Sequence, residues 1–293
     1  MAWKIMVTGA TGIVGREIVR RLHQREVEFV AACRQEGAFP EDIKNISLDY
    51  ANPATLDQAF RNVDVLFLLI PFADSMREWA ENAVGAARRA GVKLIVRTSA
   101  LGADPGSPYL WLRTEGEINR MLSESGVPSV LIKTNSFMQN FDRLYGEALR
   151  QGALYLPEGE GRTSFVDVGD LANVVTEILV NPFNHLGREY SITGGRALSN
   201  AEALSILSTR CARRISYVPV TEEITRKALK KIGASSWWIE FVLSRHRSVR
   251  DGEGEEVTNT FQELTGLEPR TFEDYSEELA ESLLVRPGGV DLH

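Results

Sequence analysis

The chain has 293 residues, 43% of them hydrophobic, which is enough for the core of one large domain or two interlocked ones. Its 33 Lys and Arg against 40 Asp and Glu give a net charge of −7, a poor match for nonspecific nucleic-acid binding. Two cysteines far apart in sequence predict no disulfide framework, and four scattered histidines predict no metal site.

Two further features of the sequence bear on the cellular location of the protein. The N-terminal segment MAWKIMVTGATG has too short an apolar stretch for a signal peptide. No window of 18 uncharged apolar residues is present, so we expect no transmembrane helix and a cytoplasmic protein.

The first predicted elements are a strand and a helix joined by a glycine-rich turn. Ile5 and Val7 fit a short buried strand, while Val14, Ile18 and Leu22 recur every four residues, as on one face of a helix.

The turn between them, VTGATGIVG, has the spacing of a dinucleotide site. The first glycine allows the tight turn, the second lets the backbone approach a pyrophosphate, and the third lets the helix pack closely. The helix N-terminus would then point its N–H groups at the phosphates. We expect the cofactor to contact Gly9, Thr11, Gly12, Ile13, Val14 and Gly15.

The second strand, EFVAACR, ends at Arg34. An acidic residue near this position usually binds the ribose 2′-OH of NAD, but no acid occurs between Phe29 and Gln35. A guanidinium suits a 2′-phosphate, so the sequence predicts NADP(H).

Strands and helices then alternate along the chain. IKNISLDY reads as a strand, Asn52 and Pro53 begin a helix, VDVLFLLIP is a buried strand, and Gly91 ends the next helix. VKLIVRTSA and SVLIKTNSF are the fifth and sixth strands. The pattern predicts a doubly wound parallel α/β sheet of Rossmann type with its ligand crevice at the carboxyl ends of the strands. Residues near those ends are Asp49, Leu69, Ile70, Pro71, Ser99, Lys133 and Thr134.

Several segments resemble the NmrA-like branch of the atypical short-chain dehydrogenases/reductases. They include VTGATGIVG, LDYANPATLDQAF, AARRAGVKLIVRTSA, TEGEINRMLSESGVPSVLIKTNSFMQN, FVDVGDLANVV and REYSITGG. The branch contains reductases of quinones, triphenylmethane dyes and other aromatic compounds, and also redox-sensing regulators that bind dinucleotide without turnover.

The resemblance also implies a division into two parts. A dinucleotide-binding domain would comprise residues 1–137 and 166–195, and a smaller, mainly helical substrate-binding cap would comprise 138–165 and 196–293. The residues of the cap favour this reading, because Ser199 with Glu202 forms a capping-box pattern and Thr271 with Asp274 marks the start of a last helix. SYVPV reads as a short strand.

In ordinary members of the superfamily, a Tyr donates a proton and a Lys four residues later assists it. Alignment on the NmrA-like pattern places Trp111 and Glu115 at these positions, so the usual dyad is absent. A rival alignment places Tyr109 and Arg113 there. Ser99 matches the third catalytic position.

Without the dyad, hydride transfer can still proceed to an acceptor that needs little acid assistance, such as a quinone, an iminium compound or a cationic dye. The sequence therefore predicts an NADPH-dependent reductase of a small aromatic, quinone-like or iminium acceptor. A noncatalytic NADP(H)-binding sensor and a cofactor-retaining isomerase or epimerase are the alternatives. We expect the substrate pocket to include Trp111, Phe137, Met138, Tyr155, Trp237 and Trp238.

Overall fold

The computed structural model describes residues 3–34 and 37–284. Seven strands form one parallel sheet in the order β3-β2-β1-β4-β5-β6-β9. Their bounds are β1 Ile5–Thr8, β2 Phe29–Cys33, β3 Asn45–Ser47, β4 Val65–Leu68, β5 Leu94–Ala100, β6 Ser129–Thr134 and β9 Glu189–Ile192. The predicted doubly wound sheet is confirmed, and its strand order reverses between β1 and β4.

Helices cover both faces of this sheet. Strand side chains alternate between two cores: Val7 and Val96 enter one core, which includes α1 and α7, while Met6 and Ile95 enter the other, which includes α2, α3 and α4. The helices are α1 Ile13–Gln24, α2 Pro53–Ala59, α3 Met76–Ala90, α4 Leu110–Glu124 and α7 Val168–Val180.

The predicted helix boundaries have a local cause in the structure. The Asn52 side chain accepts a hydrogen bond from the Ala54 N–H at 3.2 Å, and Pro53 occupies the first turn of α2. Gly91 ends α3 in the left-handed conformation, with φ of 72°.

The remaining elements all follow β6 in the chain. They are α5 Asn140–Arg143, α6 Gly146–Arg150, β7 Ala153–Leu156, β8 Arg162–Thr163, a 3-10 turn Pro182–His185, β10 Leu198–Ser199, α8 Asn200–Arg210, β11 Ser216–Pro219, α9 Glu222–Lys231, α10 Ser236–Arg250, α11 Thr260–Thr265 and α12 Phe272–Leu284. The predicted capping box at Ser199 with Glu202 is present, and the last helix begins directly after Thr271, which exchanges hydrogen bonds with Asp274 as the predicted start of that helix. The predicted strand in SYVPV is β11.

The part of the chain that was predicted as a cap has its own aromatic core, in which Phe141 packs edge-on against Phe165 and Phe272. Two of its later residues instead enter the cores of the sheet: Phe241 of α10 joins the core beside α3 and α4, and Phe261 of α11 joins the other. Residues 285–293, at the end of the predicted cap, lie outside the described residues. Among those described, no helix is both long and apolar enough to cross a membrane.

Candidate active site

The glycine turn between β1 and α1 lies at the point where the strand order reverses. Gly9 has φ of +62°, and a Cβ there would lie 3.0 Å from Leu69 Cδ2. A Cβ on Gly15 would lie 2.2 Å from the Gly9 carbonyl oxygen, a separation that no side chain tolerates. The first and third glycines are therefore required by the path of the backbone itself.

The middle of the turn faces solvent. Thr11 and Gly12 are exposed, Ile13 is half-buried, and Val14 is buried against the sheet. Gly12 is the N-cap of α1, and the first turn of that helix has no acidic residue. The positive end of the helix dipole and its free N–H groups thus face the crevice, as anion binding requires.

Hydrogen bonds fix the backbone at the end of β4. Thr8 Oγ1 donates to the Phe67 carbonyl at 2.9 Å and accepts the Leu69 N–H at 3.0 Å. The Tyr50 hydroxyl donates to the Leu69 carbonyl at 2.9 Å, and burial raises the pKa of this phenol. The rim of the crevice at this strand end is therefore rigid, and Ile70 and the exposed Pro71 follow it.

The other predicted cofactor residues lie in three different environments. Arg34 is exposed directly after β2, and Asp49 is exposed in the turn before α2. Lys133 is bound to Glu189 of β9 at 2.6 Å, so its ammonium is already paired. Thr134 is buried at the end of β6.

Ser99 and Glu115 lie in a buried polar cluster. Glu115 Oε2 accepts a hydrogen bond from Arg97 Nη2 at 2.7 Å, and the Ser99 hydroxyl lies 3.3 Å from the same oxygen. Asn119 Nδ2 donates to Ser99 Oγ at 2.8 Å. Because Arg97, Glu115 and Ser99 are each at most 6% exposed, this carboxylate neutralises a buried cation rather than facing the crevice.

Trp111 joins α4 to α10. Its indole N–H donates to Ser248 Oγ at 2.8 Å, and its backbone N–H donates to Ser244 Oγ at 3.0 Å. An indole does not release its proton at neutral pH, so Trp111 cannot act as an acid. Its contacts are those of a half-buried side chain that packs between two helices.

Tyr109 and Arg113, the pair given by the rival alignment, form hydrogen bonds to different partners. The Tyr109 hydroxyl donates to Asp251 Oδ2 at 2.8 Å, and burial together with this carboxylate raises the pKa of Tyr109. Arg113 Nη1 donates to the Ser107 carbonyl at 2.7 Å. A phenol that is bound to a carboxylate and has a raised pKa is a poor proton donor.

An aromatic cluster forms where α10 meets the end of β4. Trp237 and Trp238 stack on Phe241, with ring centroids 4.8 and 5.6 Å away. Phe72, which is 54% exposed, lies 5.4 Å from Phe241. Our sequence analysis missed Phe72 and Phe241, although Phe72 directly follows Pro71 at a strand end.

The structure separates the other predicted pocket residues from this cluster. Phe137 is half-buried and forms a bridge with Val166. Met138 is 2% exposed and lines a cavity of about 320 Å³ that also contacts Arg270. Tyr155 is 58% exposed on β7.

Sequence comparison places the protein in a family. The pattern of the NmrA-like family matches residues 1–276. The chain belongs to the NmrA-like family. It is 31% identical over 278 residues to an NAD(P)H azoreductase of Xenophilus azovorans, covering 93% of this chain and 96% of that protein.

Two further similarities extend over nearly the whole chain. A (4-alkanoyl-5-oxo-2,5-dihydrofuran-3-yl)methyl phosphate reductase of Streptomyces griseus is 30% identical over 281 residues, covering 95% of this chain and 98% of that protein. The structure of the NADPH-dependent quinone oxidoreductase 2 of Escherichia coli with NADPH has a TM-score of 0.83 at 23% identity, covering 94% of this chain and 99% of that one. The resemblance to the NmrA-like branch is thereby confirmed.

Proposed function

We propose that this protein is an NAD(P)-dependent oxidoreductase that uses NADPH to transfer hydride to a small aromatic, quinone-like or iminium acceptor. The observation that carries the proposal is the juxtaposition of the glycine turn with an aromatic cluster. Both lie at the carboxyl edge of the sheet, the turn after β1 and the cluster around Phe72 after β4. Relatives over nearly the full length of the chain are named as reductases.

The residues of the crevice fit a dinucleotide. The backbone of Gly9 and Gly12 would hold the pyrophosphate at the N-terminus of α1, and a Cβ at Gly15 would displace that backbone. Exposed Arg34 would bind a 2′-phosphate through paired, charge-assisted hydrogen bonds. The bound cofactor would supply the hydride from its nicotinamide ring.

The chain itself would position the acceptor. A planar aromatic compound can stack against the rings of Trp237, Trp238 and Phe72, which excludes water and orients the acceptor. Trp111 holds α10 against α4 through Ser244 and Ser248, so it maintains the site without donating a proton. On the alignment that favours this proposal, an indole and a carboxylate that neutralises Arg97 would occupy the positions of the usual proton donor and its Lys in α4.

The proposal is tested by following NADPH oxidation with the purified protein against a naphthoquinone, an azo dye, an iminium compound and a cationic triphenylmethane dye. We expect at least one acceptor to be reduced with saturation kinetics, and NADPH to bind more tightly than NADH. Tight NADPH binding with no reduction of any acceptor would instead identify a cofactor-binding sensor.

A further inference from the structure

Helix α9, Glu222–Lys231, contributes nothing to the hydrophobic cores of the protein. Among residues 3–34 and 37–284 it is the only helix that has no buried residue. A helix of 10 residues is marginal in water, because most helical stability in proteins comes from packing of an apolar face. The stability of α9 therefore depends on contacts at its surface.

Ion pairs hold one side of α9 against α10. Glu222 Oε2 lies 3.1 Å from Arg247 Nε, and Glu222 Oε1 lies 3.0 Å from Arg250 Nη1. One turn later, Arg226 lies 3.6 Å from Glu240 of α10. Partly exposed ion pairs of this kind contribute little to stability. They do fix the rotation of α9 about its axis, because Glu222 and Arg226 must face α10.

The opposite side of α9 carries an exposed apolar stripe. Ile224, Ala228 and Ile232 follow one another at a spacing of four residues, and all three are exposed. Ile224 is 54% exposed, and Ile232 is 77% exposed, the largest value for a large apolar side chain in the described part of the chain. A row of exposed apolar side chains indicates an interaction surface, unlike single apolar residues scattered over the protein.

A groove lies at the beginning of the same helix. Its volume is about 670 Å³, and Ile224 forms part of its wall together with Pro157, Pro219 and Val220. Ile232 lies at the other end of α9, about 12 Å away along the helix axis for the eight residues that separate it from Ile224. One helix thus has an apolar recess at its first turn and a projecting isoleucine at its last.

The charges beside the apolar stripe are also divided between the two ends. Glu223 lies in the first turn and Lys231 in the last, with Lys227 between them. Glu223 Oε1 lies 2.7 Å from Lys227 Nζ, and both side chains are more than 70% exposed. No carboxylate in the described part of the chain forms an ion pair with Lys231 within 4.0 Å. An antiparallel second copy of α9 would bring its own Glu223 to this unpaired ammonium.

We propose that α9 forms the interface of a two-fold symmetric dimer, in which it packs antiparallel against α9 of a second copy. An axis beside Ala228 brings Ile232 of each copy to the groove of the other, and Glu223 of each copy to the partner's Lys231. The small side chain of Ala228 allows the helices to approach closely, near the lower end of the roughly 8–10 Å range for packed helices. Because projection and recess lie on one helix, the two-fold axis fills both and closes the assembly at two copies.

Sedimentation equilibrium of the full chain measures the dissociation constant of the dimer. We expect Ile232→Asp to raise this constant by at least about 100-fold, because each copy would bring an unpaired carboxylate into an apolar recess. Leu144→Asp, at a position outside α9 that is 66% exposed, is the matched control and should leave the constant unchanged. Circular dichroism checks that both variants fold. A monomer at every concentration, or a dimer that Ile232→Asp leaves intact, would overturn the proposal.

A charge exchange tests the antiparallel direction. Glu223→Lys and Lys231→Glu should each weaken the dimer by about 10-fold, since each variant creates a like-charge contact twice across the axis. The variant with both substitutions restores opposite charges at both contacts and should recover most of the affinity of the wild type. A double variant that is weaker than either single variant would contradict antiparallel pairing.

Cysteine cross-linking locates the axis. A residue beside a two-fold axis meets its own copy, so mild oxidation of Ala228→Cys should give a disulfide-linked dimer. Lys230→Cys is the control, because position 230 is turned by about 200° around the helix from position 228 and should remain largely unlinked. Equal linkage of both variants, or growth of the wild type into assemblies larger than two copies, would contradict the two-fold interface.

Discussion

The Glu115 carboxylate lies 2.7 Å from the Arg97 guanidinium, and both side chains are at most 5% exposed. This pair joins α4 to β5 beneath the crevice. It gives Glu115 a structural reason to be acidic, because a Lys at this position would face Arg97 with a like charge in the interior. The charge of buried Arg97 therefore explains why a carboxylate stands at position 115.

Glu115→Ala should lower the free energy of unfolding by about 3–5 kcal/mol, because it leaves Arg97 buried and uncompensated. Urea unfolding measures the effect. Glu117→Ala on the same helix is the control, since Glu117 forms only a 3.5 Å surface pair with Arg77 and should cost less than about 1 kcal/mol. Similar losses of unfolding free energy in both variants would show that the buried pair stabilises the protein no more than the surface pair does.

The glycine turn predicts opposite outcomes for two substitutions. Gly12→Val should fold but lose NADPH binding, because Gly12 is exposed and the branched side chain would occupy the space of the pyrophosphate. Gly15→Ala should destabilise the fold, since its Cβ would lie 2.2 Å from the Gly9 carbonyl oxygen. Circular dichroism with cofactor titration distinguishes the two. Undiminished binding by folded Gly12→Val would place the phosphates elsewhere.

Arg34→Ala should abolish most of the preference for NADPH over NADH. Loss of charge-assisted hydrogen bonds to the 2′-phosphate costs about 1.5–3 kcal/mol, which corresponds to a roughly 10- to 150-fold weaker affinity for NADPH. NADH affinity should change little. Dissociation constants for both cofactors in the wild type and the variant give the result, and an unchanged ratio would remove Arg34 from the site.

The parts of the fold that the sequence predicted depend on local patterns. The strand–glycine–helix unit, the cap at Asn52 and the stop at Gly91 each follow from residues within one turn of each other. The parallel sheet followed from continuous apolar runs such as VDVLFLLIP, because both faces of such a strand are covered.

The contacts that the sequence did not predict join distant residues. Arg97 and Glu115 meet only because α4 packs on β5, and a pairing of this kind has no signature in spacing. Phe72 and Phe241 are 169 residues apart and touch through the packing of α10 on the end of β4.

Asp170 should make stability depend on pH. Burial raises the pKa of this carboxyl to about 6, although its Oδ2 accepts from the Arg270 N–H at 2.7 Å. A raised pKa in the folded state means that its stabilising contribution is complete below about pH 4 and is lost as pH rises through about 6. Asp170→Asn should remove this dependence and gain roughly 1 kcal/mol at pH 7.5, because partial solvent screening reduces the full effect.

Urea unfolding of the wild type and Asp170→Asn between pH 4 and pH 7.5 provides the measurement. The difference in unfolding free energy between the two proteins should grow steadily from pH 4 to about pH 6.5. A constant difference across this range would show that the carboxyl has an ordinary pKa in the folded protein.

Substitutions at the start of α4 test whether Trp111 acts only as a wall of the substrate pocket and whether Tyr109 donates a proton. Trp111→Phe should retain most of the turnover, since a flat apolar surface remains, and should lose about 0.5–1.5 kcal/mol of stability with the hydrogen bond to Ser248. Trp111→Ala should lose substrate affinity as well, because the contact between α4 and α10 loses its largest ring. Tyr109→Phe should change kcat by less than about 2-fold, whereas removal of a general acid typically costs about 10²–10⁴-fold. Steady-state kinetics on an active acceptor, with unfolding curves for all three variants, decides the matter: a 10²-fold loss in Tyr109→Phe would restore the Tyr109 and Arg113 pair as the catalytic dyad.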